Sequence, residues 1–322
     1  MRRLLLPLVL LAACADSPPP NGPPQRIRVP AGASFADVTD TLVAYGVVTN
    51  PLWFKVQARL KRVDRSIHAG VYEIARGLPV GDVLALLAAG KSAVLRFTVP
   101  EGLTVADVAA LAEERLRIPA ESIRAVTSDS AFAASLGVDA PTLEGFLHPN
   151  TYELPLDVDA RELAKVMVDG FTDRWKPEWD RRLDTLGMTR RQLLALASIV
   201  EGEARVDEER ETIAGVYHNR LRIGMALQAD PTVQYAIMLR TGERKARLFQ
   251  KDYQTPSPYN TYLNPGLPPG PVNSPSLRSI EAALYPADVP YFFFVAGTDG
   301  RHVFTRTYPE HLQAIAQIRR RR

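Results

Sequence analysis

The amino-acid sequence predicts an α+β fold, and three features of its patterning support that class. A strand leading through a turn into a helix occurs twice in the first third of the chain. Capped amphipathic helices follow, and an irregular segment rich in proline and glycine lies near the carboxyl end. Of the 322 residues, 46% are hydrophobic and 23% charged, which is typical of a soluble globular protein with two or three domains. The net charge of +3 is too small to indicate a nucleic-acid partner.

The amino terminus is predicted to be an export signal with a lipid attachment site. A short positive segment precedes the apolar run Leu4–Ala13, which is far too short to span a bilayer. The run ends in Leu11-Ala-Ala-Cys14, which resembles a bacterial lipobox with Cys14 lipidated after cleavage. We assign residues 1–14 to a lipoprotein-type signal peptide and residues 15–26 to a stiff, proline-rich tether. Cys14 is the only cysteine, which excludes a disulfide or a thiolate metal site within the chain.

The repeated unit places a short strand before each of two capped helices. Val29–Val38 parallels Val99–Val108 at an offset of 70 residues, and Ser34 and Thr104 follow a Pro-x-Gly turn as candidate N-caps. Between the copies the pattern predicts a strand, a helix and a strand, over residues 69–74, 79–89 and 94–99. Residues 27–98 are therefore predicted to form a small βα module.

The next part of the chain is predicted to be helical and to lead into a second, larger domain. In residues 99–185 the spacing of Asp159 and Glu162 fits a capping box before a packing helix to which we assign no function. A second capping box, Thr189 with Gln192, opens the apolar run Leu193–Val200, and this helix is expected to be buried on most sides.

Glu201 is the candidate catalytic residue because it stands at the end of that apolar run. A carboxylate there is expected to be poorly solvated, which raises its pKa and favours a proton donor near neutral pH. From the local pattern alone, a helix that simply reaches solvent at Glu201 is an equal alternative. Glu203 is the competitor, but two residues along a helix turn by roughly 200°, so both cannot face one cleft. We expected Glu203 to form a supporting ion pair with Arg205 or Arg220.

Several motifs follow in a fixed order. They are Ile-Val-Glu201, an Asn219-Arg-Leu segment, Leu227-Gln-Ala-Asp-Pro-Thr-Val, Tyr259-Asn-Thr-Tyr262 and Gly266-Leu-Pro-Pro-Gly-Pro271. This set resembles the endolytic murein transglycosylases, membrane-attached bacterial enzymes that cut peptidoglycan strands. The resemblance implies a mixed α+β, YceG-like catalytic domain, with residues 99–185 as its intermediate part and residues 186–322 as its core. It also selects Glu201 as the acid/base.

The resemblance also implies the chemistry, that of a carbon–oxygen lyase acting on a polysaccharide. The C6 hydroxyl of the muramic acid attacks its own anomeric carbon within the glycan strand, which leaves a 1,6-anhydro end and consumes no water. One Glu serves as acid and then as base, so no second carboxylate and no cofactor are expected, in contrast to paired-carboxylate hydrolases. The five histidines show no metal-binding spacing, and we predicted no metal.

A set of polar residues is expected to bind the glycan or support the site. Asn150 stands where the family usually has an Asp, and an amide cannot carry charge. The full set is Glu144, Asn150, Asn219, Gln228, Asp230, Thr232, Tyr259, Asn260, Thr261, Tyr262 and Asn273. Gln228, Asp230 and Thr232 were placed on a loop ended by Pro231, where side chains can point into a groove.

The cellular setting also comes from the resemblance. It implies that residues 27–98 are a LysM-like module, that the protein is anchored to the inner membrane facing the periplasm, and that wall-synthesis enzymes are partners beside the glycan strands. Family members usually carry a transmembrane helix at the amino terminus, so an uncleaved helical anchor is the alternative to a lipid. The residues leave two alternatives open. The protein could be a muramidase that hydrolyses the glycan with water, or a non-catalytic wall-binding protein whose LysM-like module is the active part.

Overall fold

The computed structural model describes residues 23–30, 32–90 and 92–320, so Cys14, the predicted signal peptide and most of the tether lie outside the described residues. The chain divides into two compact units. The amino-terminal unit runs to Arg96 and takes in Glu153–Asp157. The carboxyl-terminal unit consists of Phe97–Tyr152 and Val158–Arg322.

The amino-terminal unit combines a pair of antiparallel strands with three helices. Its elements are β1 (Gln25–Val29), α1 (Phe35–Ala44), α2 (Pro51–Leu60), β2 (Gly70–Ile74), α3 (Val80–Ala88) and the start of β3 (Val94–Thr98). Val29 lies opposite Gly70 in the β1–β2 pair. Leu42, Phe54 and Leu84 are fully buried in its own hydrophobic core. The predicted strands and the helix after Pro79 are confirmed, whereas α2 was not predicted.

The repeated sequence unit forms the predicted local structure in both copies. Ser34 Oγ accepts a hydrogen bond from the Asp37 amide at 3.2 Å, and Thr104 Oγ1 accepts one from the Asp107 amide at 3.2 Å. Each carboxylate in turn accepts from the backbone N–H of its cap, which completes a capping box at the start of a helix.

The carboxyl-terminal unit is mostly helical. Its helices are α4 (Val105–Leu116), α5 (Ala120–Thr127), α6 (Ser130–Ser135), α7 (Ala160–Thr172), α8 (Pro177–Leu186), α9 (Arg190–Glu203), α10 (Arg210–Arg222), α11 (Asp230–Thr241), α12 (Leu277–Leu284) and α13 (Tyr308–Arg320). It also contains the antiparallel hairpin of β5 (Phe293–Ala296) and β6 (His302–Thr305) and the first two residues of β4 (Thr151–Pro155), the strand that pairs with β3. The mixed α and β content agrees with the predicted class.

Helix α9 forms the centre of this unit. Its capping box of Thr189 and Gln192 is present, and all of Leu193–Val200 is buried against α10, α11 and α12. The helix does not stop at Glu201 but continues through Gly202 to Glu203. Among the residues that the structure describes, no helix is both long and apolar enough to cross a membrane.

Candidate active site

A cavity of about 520 Å³ opens in the carboxyl-terminal unit where α9 ends. Its walls come from the end of α9, from α10, from the start of α11, from the β5–β6 hairpin and from α13. The polar and aromatic side chains lining it include Glu203, Arg205, Tyr217, Arg220, Gln228, Asp230, Tyr253, Tyr262, Phe293, His302, Tyr308 and His311. A lining of this kind suits a polar ligand with several hydroxyl and amide groups.

Glu203 is one of the two carboxylates that line this cavity, the other being Asp230. Glu203 Oε1 accepts a hydrogen bond from the Tyr217 hydroxyl at 3.3 Å. Burial raises the pKa of Glu203 to about 7, and the negative charge of Asp230 adds to that increase. A carboxyl group with such a pKa is protonated in a large fraction of molecules at neutral pH, which is what a general acid requires.

Gly202 allows α9 and α11 to approach closely at this point. A Cβ built on Gly202 would lie 2.5 Å from Cγ and 2.8 Å from Cβ of Pro231. Only a glycine therefore fits against the proline ring in the first turn of α11. The close approach is what puts Glu203 beside Asp230.

Asp230 is held by two tyrosines. Tyr262 donates to Asp230 Oδ1 at 2.6 Å and Tyr253 donates to Oδ2 at 3.5 Å, with the two rings 4.6 Å apart. The prediction that Asp230 and Thr232 lie on a loop is wrong, because both belong to the first turn of α11. At that position the carboxylate is stabilised by the positive end of the helix dipole.

Glu201 lies on a different side of α9 and does not line the cavity. Its side chain is 8% exposed and forms an ion pair with Arg210 at 3.2 Å. Glu201 Oε2 also accepts from the Ser276 amide at 2.9 Å and from its hydroxyl at 2.5 Å. Arg210 in turn donates to Asp207 at 3.1 Å. Both oxygens of Glu201 are therefore engaged in a network that ties α9 to α10 and to the start of α12.

The side chains of Glu201 and Glu203 point to different sides of α9, as the helix geometry predicted. The cavity lies on the side of Glu203. Glu203 meets Tyr217 rather than the expected ion-pair partners, Arg205 or Arg220. Arg220 instead donates from Nε to the Phe292 carbonyl at 2.7 Å and also donates to the Leu227 carbonyl. Arg205 is exposed at the rim of the cavity.

Gln228 lines the cavity in an unusual backbone conformation. Its φ of +49° is in the left-handed region, which costs a side-chain-bearing residue about 1–2 kcal/mol. Its backbone amide donates to the Thr261 carbonyl at 3.1 Å, which holds the conformation in place. A strained backbone persists only where the surrounding structure holds it in place. Such residues are concentrated at functional sites.

Of the predicted support residues, Gln228, Asp230 and Tyr262 meet at the cavity and the other eight do not line it. Most of those eight are buried and bonded to the backbone. For example, Asn219 donates to the Val289 and Tyr291 carbonyls, and Asn260 donates to the Tyr253 and Thr255 carbonyls. Four more members of the group form hydrogen bonds within the protein: Glu144, Thr232, Thr261 and Asn273. Their positions fit support of the fold rather than contact with a ligand.

Sequence reasoning missed the aromatic wall of the cavity. Phe293 of β5 lies 5.8 Å from the Tyr308 ring and 5.4 Å from the His311 ring, both on α13. His302 of β6 is fixed by Glu209, with Nδ1 and Oε2 2.7 Å apart. No local signal marked these residues, because they come from the hairpin and the last helix. Tyr217 was read from the sequence as part of the apolar core stripe of its helix, although its hydroxyl and its place two residues before the Asn219-Arg-Leu segment were signals for the site.

No group of three or more His, Cys, Asp or Glu side chains in the described ranges is arranged to hold a metal ion. The fold and the cavity thus define a mixed α/β protein with two carboxyl groups in a polar and aromatic cleft, of which Glu203 has a raised pKa. Residues 27–317 match the model of the YceG-like family, and the chain belongs to that family.

The relatives of known name are similar over most of this chain. This chain is 31% identical over 308 residues to the endolytic murein transglycosylase of Bacillus subtilis. The match covers 90% of this chain and 83% of that protein. The protein of the same name from Streptococcus pneumoniae D39 is 28% identical over 319 residues, and the match covers 58% of it. A crystal structure of a YceG-like protein from Listeria monocytogenes superposes with a TM-score of 0.62 at 30% identity, covering 90% of this chain and 98% of that one.

Proposed function

We propose that this protein is an endolytic lytic transglycosylase that cleaves peptidoglycan glycan strands. The family membership and the names of the relatives support this activity. The observation that carries the proposal is Glu203, the carboxyl group that combines a place in the cavity with a pKa raised to about 7. Glycosidic cleavage without water needs one such group and no cofactor.

Glu203 acts first as general acid and then as general base. It donates its proton to the glycosidic oxygen as the bond from that oxygen to C1 of the muramic acid breaks. The C6 hydroxyl of the same sugar then forms the new bond to C1, and its proton passes to the Glu203 carboxylate. The enzyme regains its starting protonation state, and the product has a 1,6-anhydro ring.

Glu201 is assigned a positioning role in this proposal. Arg210 donates to Oε1 of Glu201 at 3.3 Å, Ser276 donates to Oε2, and the side chain does not line the cavity. The network instead fixes the last turn of α9, from which Glu203 projects. The earlier assignment of Glu201 as the catalytic acid remains the alternative that the experiment must separate.

The experiment compares Glu203→Gln with Glu201→Gln on purified sacculi, with mass spectrometry of the released fragments. Glu203→Gln should fold, and its yield of anhydro ends should fall by at least about 10²–10⁴-fold. Glu201→Gln should be less stable, because it leaves the Arg210 guanidinium with less compensation, but molecules that remain folded should retain activity.

Three outcomes contradict parts of the proposal. A folded, inactive Glu201→Gln beside an active Glu203→Gln would restore the assignment made from the sequence. Reducing ends in place of anhydro ends would indicate a hydrolase. No cleavage by the wild-type protein would favour a wall-binding role.

The setting in the envelope is part of the same proposal. The amino-terminal unit serves as a LysM-like positioning module, and its own core supports a role separable from catalysis. The lipobox-like Leu11-Ala-Ala-Cys14 supports a lipid anchor on the inner membrane that leaves the enzyme facing the periplasm. Wall-synthesis enzymes are the proposed partners. A chain lacking residues 27–98 should still cut sacculi if the module only positions the enzyme.

A further inference from the structure

Helix α2 of the amino-terminal unit carries an apolar stripe that faces solvent. Leu52 is 73% exposed and Leu60 75%, with Val56 at 40% between them and Trp53 at 41% beside them. Residues four apart on a helix lie on one face, so these side chains form a continuous stripe roughly 100° wide. The opposite face of α2 packs into the core of the unit through Phe54 and Ala58.

Basic side chains border this stripe. Five cations fall within eleven residues of the chain: Lys55, Arg59, Lys61, Arg62 and Arg65. Lys55 and Arg59 lie on one flank of the stripe by helical geometry, and Arg62 and Arg65 follow the end of the helix. The Lys61 amine lies against Gly81 in the first turn of α3, away from the stripe. Asp64 is the one carboxylate in the same run. Within the described part of the chain, none of the five cations forms a hydrogen bond or ion pair with another protein group.

We infer that this basic–apolar face of α2 docks onto an anionic lipid surface. The face is defined by the four apolar residues above together with Lys55, Arg59, Arg62 and Arg65. The leucines and Trp53 enter the boundary between headgroups and acyl chains, and the cations meet lipid phosphates. A helix with an apolar stripe, an aromatic residue and flanking Lys and Arg has the features of an interfacial helix. The inference concerns a binding surface and does not depend on which carboxylate is catalytic.

Charge argues against a second copy of the chain as the occupant of this face. In a two-fold dimer the same patch meets itself, so the cations of one copy would approach those of the other. Like charges placed close together in an interface disfavour association. An anionic bilayer removes this conflict and covers the apolar stripe at the same time.

Trp53 provides a direct probe of the docking. The full-length chain is mixed with vesicles of equal parts phosphatidylglycerol and phosphatidylcholine that carry brominated acyl chains, and tryptophan quenching is recorded. The chain has three tryptophans, and the Trp53→Phe variant reports the background from Trp175 and Trp179 of the other unit. A lipid at Cys14 would tether the protein without bringing α2 to the acyl chains, so quenching reports α2 itself.

The expected result is quenching of Trp53 that is lost in pure phosphatidylcholine vesicles and falls several-fold in 0.5 M NaCl, where charges are strongly screened. Leu60→Ser and Leu52→Ser should each reduce it, whereas Leu239→Ser, a 55% exposed leucine of the other unit, should not. Unquenched Trp53, equal quenching in both kinds of vesicle, or full quenching in Leu60→Ser would overturn the inference. A concentration-dependent dimer in sedimentation that Leu60→Ser abolishes would assign the stripe to a second copy instead.

Discussion

At the scale of single residues, the charge of Asp230 acts on the proton of Glu203. Burial is the larger cause of the raised pKa, and the nearby carboxylate adds to it by disfavouring a second negative charge. Tyr262 and Tyr253 hold Asp230 in place through their hydroxyls. The cavity therefore contains two carboxyl groups whose environments keep one protonated near neutral pH.

The first prediction concerns this pair. In its proposed role as general acid Glu203 must be protonated, so kcat/KM should fall as pH rises through about 7. Asp230→Asn should lower the pKa of Glu203 and move this decline to lower pH, with a larger loss at pH 7.5 than at pH 5.5. Tyr262→Phe, which removes a hydroxyl but no charge, is the control and should move the decline less. An unchanged pH profile in Asp230→Asn would contradict the electrostatic role.

The second prediction concerns the strained backbone at Gln228. Gln228→Gly should raise Tm by about 2 °C, because glycine adopts a φ of +49° without the Cβ penalty. The same change should lower kcat/KM about 2–10-fold if the side-chain amide of Gln228 forms a hydrogen bond to the glycan. That factor is the usual range for the loss of one hydrogen bond. Arg117→Gly is a matched control, since Arg117 has a φ of +62° and does not line the cavity. It should raise Tm and leave activity unchanged. Equal activity in both variants would remove Gln228 from the binding site.

At the scale of elements, the last turn of α9 is placed by its contact with the first turn of α11. We predict that Gly202→Ala lowers Tm by several degrees and reduces kcat, because the added Cβ meets the rigid Pro231 ring and moves Glu203 from Asp230. Gly170→Ala within α7 is the milder control, because the atom nearest its added Cβ, the Tyr152 hydroxyl oxygen, lies 3.3 Å away rather than 2.5 Å. Differential scanning calorimetry and sacculus cleavage measure the two effects. Full activity in Gly202→Ala would show that the close contact is not needed.

A buried carboxyl group joins α4 to α11. Glu144 accepts from the Val105 amide at 3.2 Å and from the Tyr235 hydroxyl at 3.2 Å, and burial raises the pKa of Glu144 to about 8. The folded state thus holds a proton that the unfolded chain releases near its ordinary pKa of 4.5. This contribution to stability is complete below about pH 4.5 and is lost as pH rises through about 8.

Glu144→Gln should therefore flatten the decline in the free energy of unfolding between pH 5 and pH 9. The difference from the wild type should reach a few kcal/mol, because a tenfold change in proton affinity corresponds to about 1.4 kcal/mol. Urea unfolding at several pH values measures it. Glu153→Gln, an exposed carboxylate on β4, is the control and should follow the wild-type curve. Parallel curves for Glu144→Gln and the wild type would refute the assignment of this proton.

At the scale of the whole molecule, the proposed lipid anchor at Cys14 would decide where the enzyme works. We predict that Cys14→Ser releases the protein from membranes or leaves an uncleaved precursor, because the apolar run before it is too short to span a bilayer. Cell fractionation with mass spectrometry of the mature amino terminus tests this, with Ser17→Ala as the control. A wild-type chain that keeps its first residues and stays in the membrane would favour an uncleaved helical anchor.

The sequence correctly predicted local structure wherever that structure depends on residues close together in the chain. The N-caps at Ser34 and Thr104 and the capping boxes at Thr189 and Asp159 were predicted and are present, since each uses residues three apart. The buried helix α9 was predicted from an apolar run, and the ordered motifs placed the chain among proteins with the family's cleavage activity. Helix α2 was missed, because its exposed leucines give it apolar residues on both faces and obscure the expected period.

The sequence by itself determined that Glu201 and Glu203 point to different sides of α9, because two residues turn a helix by roughly 200°. Only the tertiary structure decided which side faces the cavity. On the side of α9 that carries Glu201, the carboxylate is bonded by Arg210 and Ser276. On the side that carries Glu203, the cavity is open and is bordered by Tyr217 and Asp230. These partners come from segments far apart along the chain. The periodicity of one helix gives the angle between two side chains, but their environment depends on how the other helices pack around it.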